Sequence, residues 1–194
     1  MAASKIIKKW PKNGNHYLDF LTIHNSQYIT LHGGGKIDGR GYNWWLACIL
    51  NIKKLIPNQN VRPHLVRLEA TKNIVIHDLI MKNSAQFHLK MDHCFDAEVY
   101  NLNILVNTTA QINLLKRFSL EGAIPLFPLN TDGIDPSGAR MKFYNLTVQN
   151  YDDVVVPKPS SGNDPGNNCT QDMLIENATV VLGVGMSIGS VPPN

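Results

Sequence analysis

Asn73–Asn83 reads NIVIHDLIMKN, and three later stretches repeat its frame: Ala97–Asn107 is AEVYNLNILVN, Arg140–Asn150 is RMKFYNLTVQN and Asp172–Val181 is DMLIENATVV. In each, apolar and variable residues alternate up to an Asp or Asn, which is followed by a small residue or Leu and then another apolar position. Alternation of period two specifies a strand and excludes a helix, whose apolar residues recur every 3.6 positions. Asp78, Asn101, Asn145 and Asn177 occupy the shared position at intervals of 23, 44 and 32 residues, which read as one unit, two units, and one unit carrying a loop. Short strands repeating every 20–30 residues or so cannot each bury an apolar face alone, so they stack as a solenoid. The pattern predicts a parallel β-helix in which a turn Asn recurs at the interstrand spacing of about 4.8 Å and forms a hydrogen-bonded ladder. A β-sandwich would need regular hairpin turns such as Asn-Gly, and the chain has no regular set of them.

Composition is consistent with one globular domain: 194 residues, 43% hydrophobic and 17% charged. The formal charge of +3 is scattered, and only Lys5, Lys8, Lys9 and Lys12 form a basic cluster, so no nucleic-acid partner is expected. Cys48, Cys94 and Cys169 stand far apart without a CxxC pair, which gives neither a zinc site nor a disulfide framework. No apolar run approaches the roughly 18 residues of a membrane span, and MAASKIIKKWPKNGN lacks a signal-peptide apolar region. Residues 1–31 are read as a basic segment with the first strands and 32–194 as the β-helix.

Gly33–Lys36 resembles a phosphate loop only superficially, because Ile37 stands where Ser or Thr should follow the lysine; a tight turn is expected there. Trp44 and Trp45 are expected to pack, and residues 46–62 to form an insertion or short helix. His77, His88 and His93 lie in strands of alternating facing without a ligand set, so they are read as structural and no metal is assigned. Pro157–Cys169, PKPSSGNDPGNNC, is a loop placed either to wall a cleft or to lie on the surface. Asn107, Asn145, Asn168 and Asn177 begin N-x-S/T sequons.

Asn130–Asp153, NTDGIDPSGARMKFYNLTVQNYDD, carries four carboxylates. Asp132 and Asp153 are 21 residues apart, about one coil, so they should stack and at least one should hold its proton more tightly than usual. Adjacent Asp152 and Asp153 would point to opposite faces of a regular strand, and both can serve one site only at a bulge or strand end. Such a set can hydrolyse a glycosidic bond, one carboxyl protonating the leaving oxygen and others activating water, with a separation of about 6.5–9.5 Å marking inversion. Without further information the same residues could simply cap turns.

Together NTDGID, the later DD, the terminal GVGMSIGS, GKIDGRGYNWW and RPHLVRLEATKNIVIHDLIMKNSAQFHLKMDHCFDAEVYNLNI resemble glycoside hydrolase family 28, the polygalacturonases and their relatives, from about His32 onward. The resemblance implies an all-β, right-handed parallel β-helix, a single domain acting on pectic polysaccharides outside the cell as a monomer without a cofactor. It implies Asp152 as general acid and Asp132 and Asp153 as the carboxylates that hold and deprotonate water. Asn130 and Lys158 are the expected substrate contacts, Lys158 beside an acidic sugar. Departures are Val184 in place of the family's His, and Val154 and Val180 in place of two cysteines that commonly pair, a disulfide exchanged for an apolar contact. The family's basic RxK motif lies beyond the His region, whereas this chain stops at Pro193 and Asn194, so the resemblance implies missing C-terminal coils and an uncapped, aggregation-prone end. The leading expectation is an inverting pectin hydrolase; alternatives are an inactive β-helix that binds polysaccharide and a calcium-dependent pectate lyase.

Overall fold

A computed structural model describes residues 1–2, 6–119, 128–159 and 169–191. Twelve strands lie among them, and apart from a small antiparallel pair, β1 (Lys12–Asn13) with β2 (His16–Tyr17), every pairing between strands is parallel. β3 (Leu21–His24) and β4 (Gln27–Leu31) stack on β6 (Val66–Glu69) and β7 (Lys72–Lys82), while β5 (Lys36–Asp38) pairs with the end of β7. β6 and β7 then stack on the long bent β8 (Leu89–Leu105), β8 on β9 (Ile134–Gln149), and β9 on β10 (Asp153–Val155) and β11 (Gln171–Leu182). β12 (Gly185–Met186) pairs with β10. This is the expected parallel β-helix, and its first coil begins at Leu21, within the segment set apart as residues 1–31.

The long strands bend where single residues adopt the left-handed conformation. Tyr28, Asn73, Asp96, Arg140 and Asp172 do so at one corner, and Asp78, Asn101, Asn145 and Asn177 at the next. Asn and Asp tolerate that region better than most residues, which explains their recurrence in the sequence. At the second corner the Asn101 amide donates to Asp78 (3.0 Å) and the Asn145 amide to Asn101 (3.3 Å), forming the ladder anticipated from the repeat. His32, His77, Tyr100 and Tyr144 stack beside it with ring centroids 4.9–5.0 Å apart. His77 is thus structural, as expected. Between corners, alternate residues such as Ile74, Val99, Phe143 and Val148 fill the interior.

The interval from Asn101 to Asn145 is one coil, not two. Leu102 pairs directly with Leu146, and the surplus leaves the coil at one corner, including α2 (Thr109–Arg117). The first coil has its surplus at the same corner, including α1 (Tyr42–Ile49). Trp44 and Trp45 are buried as expected but on this helix, where Trp44 packs with Trp10 and Tyr17 and the Trp45 indole donates to Ser84 O (3.0 Å). Val154 is buried in the main core, whereas Val180 is 43% exposed on β11, so the apolar exchange for a disulfide holds on one side only. Of the Pro157–Cys169 loop, residues 160–168 lie outside the described residues, as do the Asn168 sequon, Lys5, Pro193 and Asn194.

Candidate active site

The carboxyl group of each Asp is set by where its coil leaves or re-enters the corner. Gly133 N–H donates to Asp153 O (2.9 Å), and Val155 is in register with Ile134, so Asp132 and Asp153 face each other on adjoining coils. A Cβ on Gly133 would lie 2.3 Å from Val154 O, and its absence lets the coils approach here. Asp152 precedes β10 in a bend, and the pairing of β10 with β12 is irregular between Asp153 and Val155. That is the strand-end irregularity that lets two neighbouring Asp serve one site. One oxygen each from Asp132, Asp152 and Asp153 lies within 4.8 Å of the others. This is the spacing of the nearest oxygens and not of the carboxyl groups, so it neither meets nor contradicts the separation of about 6.5–9.5 Å expected for inversion. Grouped carboxylates of this kind are common without an ion, and the set carries no metal assignment.

Backbone donors fix the acid pair. Asp152 accepts from Asn130 N–H through Oδ2 (2.7 Å) and from Asp153 N–H through Oδ1 (3.0 Å). The Ser187 hydroxyl donates to Asp153. Asn130 has a left-handed backbone, and its side-chain oxygen accepts from Arg62, so the expected substrate contact is turned inward. Arg62, 3% exposed, also donates to Ala85 O (2.9 Å) and Leu129 O (3.0 Å), tying the 129–132 approach to the coil before it.

Asp132 is set back. It is 2% exposed, while Asp152 and Asp153 are half-buried. Its proton is held well above the usual carboxylate range, first by burial, then by the charges of Asp135 and Asp152. The stacking partner Asp153 is therefore not the main cause. His88, fully buried, donates both its backbone N–H (2.9 Å) and Nδ1 (3.0 Å) to Asp132 O, while Ser84 N–H donates to Nε2 (3.3 Å). Those contacts select the Nδ1–H tautomer, and burial lowers the imidazole to about 4, so the ring stays neutral above that pH.

Lys158 does not point at open solvent. Its ammonium lies 3.2 Å from Asp135 and 3.9 Å from Asp132, over the Phe87 ring at 5.7 Å, because two buried carboxyls draw the nearest cation inward. Asp135 and Arg62 are the site residues that sequence reasoning gave no role, and His88, read as structural, braces the backbone of Asp132. Asp135 was detectable as the neighbour of inward Ile134, which alternation turns to the other face of the strand; its approach to Asp132, which precedes that strand, was not. Arg62 comes from an irregular insertion without a pattern to follow. Val184, which stands where the resemblance leads one to expect a His, is 72% exposed, and its N–H donates to Asp152 O (2.9 Å).

The sequence profile of "Glycosyl hydrolases family 28" matches residues 4–194. A polygalacturonase of Juniperus ashei is 27% identical over 185 residues, covering 94% of this chain and 30% of that protein. Rhamnogalacturonase A of Aspergillus niger is 30% identical over 176 residues, covering 89% and 31% respectively. The structure of the polygalacturonase from Erwinia carotovora ssp. carotovora superposes with a TM-score of 0.74 at 25% identity, covering 98% of this chain and 49% of that one. The chain spans about a third of the length of these two curated relatives.

Proposed function

The chain belongs to the glycosyl hydrolases of family 28, and from that premise we propose that it hydrolyses glycosidic bonds in pectic polysaccharides, acting outside the cell as a monomer. The observation that carries the reading is the meeting of Asp132, Asp152 and Asp153 within 4.8 Å on adjoining coils. Asp152, held by two backbone amides at the rim, protonates the leaving glycosidic oxygen. Asp153, steadied by Ser187, and Asp132 behind it hold the attacking water; Asp153 takes its proton, and Asp132 can do so only in its carboxylate form. Asn130 and Lys158 act on the carboxyls rather than reaching the sugar first. Water delivered to the face opposite the leaving group gives inversion, the outcome implied by the family resemblance and not by the carboxyl separation.

Proton NMR of the products from pectin, started by mixing and read in the first minutes, tests this. A saturated new reducing end whose first anomer is opposite to the bond cleaved supports the proposal. First release of the retained anomer overturns inversion, and an unsaturated product lost on adding chelator assigns lyase chemistry instead. The recessed Asp132 and the apolar Val184 favour a second reading, a β-helix that binds polysaccharide without cutting it; retarded migration in a pectin gel without any product would establish that one.

A further inference from the structure

Asp132 and Asp135 are separated by two residues, are 2% and 1% exposed, and share one ammonium, that of Lys158. Asp132 Oδ1 and both oxygens of Asp135 are buried without a hydrogen-bond partner, so ion pairing is what compensates their removal from water. A buried carboxylate stripped of its partner is expensive, and a single ammonium in ion-pair contact is shared between the two. Lys158 is itself fixed: its N–H donates to Pro136 O (2.8 Å), and its carbonyl accepts from Thr170 Oγ1 (2.5 Å). Its chain therefore spans from β9 to the start of β11 across the back of the site.

We propose that Asp135 and Lys158 form a charge couple whose function is to position Asp132 and set its ionisation, Lys158 being an internal counter-ion and not a contact to substrate. The proposal deepens the hydrolase reading and gives roles to two positioning residues of that site. Asp132 is faced by Asp135 from its own segment, by Asp152 from the next coil, by Lys158 from the loop after β10, and by Arg62 from the corner before β6. Asp135 is faced by Lys158, by Lys90 of β8 and by Asp153 of β10. Neutral His88 meets Asp132 only through its carbonyl. In this setting Lys158, nearer to Asp135 than to Asp132, leaves the proton on Asp132. Any movement of the ammonium toward Asp132 favours its carboxylate, the form that can accept a proton from water.

The test is a carbon-13 NMR titration of Asp side-chain carboxyls in the whole chain, with the two resonances assigned by their loss in Asp132→Asn and Asp135→Asn. Removing the neighbouring charge in Asp135→Asn should lower the Asp132 midpoint by about 1–3 pH units, and Lys158→Met should raise it by a similar amount. An Asp132 midpoint unmoved by Asp135→Asn overturns the proposal even if Lys158→Met does not fold. No substrate is used, so a chain that cuts nothing still answers the question, and failure here is distinct from failure of the hydrolase reading. In turnover, Lys158→Met should lower kcat with KM unchanged, and a rise in KM alone would make Lys158 a substrate contact.

Discussion

Protons bound at Asp132 and Asp135 link the site to the stability of the fold. Burial raises both carboxyls in the folded chain, helped by the charges of Asp135 and Asp152 at Asp132 and of Asp153 at Asp135, with Lys158 opposing this at each. The unfolded chain, by contrast, releases those protons near pH 4. Between that pH and the raised midpoints the native state binds more protons than the unfolded one, so stability falls as pH rises. The free energy of unfolding obtained from urea titration is expected to drop between about pH 4 and pH 8, by an amount on the order of a few kcal/mol. Asp135→Asn should flatten that drop, and a profile identical to the parent's would show that the carboxyl is not strained. Arg62 belongs to the same scale. Arg62→Met leaves Ala85 O and Leu129 O without their donor and should cost about 1–3 kcal/mol in urea unfolding.

Among the elements, β9 carries the fold because it is bonded on both sides, to β8 and to β11. Phe143 points inward from it, fully buried between Val99 and Ile175, whereas Leu174 on β11 is 50% exposed. Phe143→Ala should therefore lose about 3–5 kcal/mol and Leu174→Ala less than about 0.5 kcal/mol, as read by denaturant unfolding. Alternation along β7, β8 and β9 made these facings legible from sequence, and the left-handed Asn and Asp made the corner legible too. The same counting failed between Asn101 and Asn145, because an insertion at a corner lengthens a coil without changing its strands. Apolar periodicity says nothing about where such surplus goes, and so α2 and the clamp of Arg62 were not foreseen. Asp132 and Asp153 were placed on adjoining coils by spacing alone; the retreat of Asp132 into the wall depends on neighbours from four segments, which no single stretch reveals.

In the whole molecule each coil is supported only by those beside it, and the corner that carries α1 and α2 is also where the chain re-enters to present its carboxyls. Among the described residues β11 and β12 each pair on one side only, and Val181 of β11 and Val184, Ile188 and Val191 next to these strands in sequence are more than half exposed. Hydrogen exchange should accordingly be at least about tenfold faster in β11 and β12 than in β8 and β9; uniform protection would mean that this end is covered in solution. The proposed activity rests on stacked coils delivering three acidic side chains to one sugar linkage. Release of reducing ends from homogalacturonan and rhamnogalacturonan by the chain and by Asp152→Asn, under identical conditions, measures that most directly. Release by the parent with a loss of about 10²–10⁴-fold in the variant is the predicted result, and equal release by the two would contradict it.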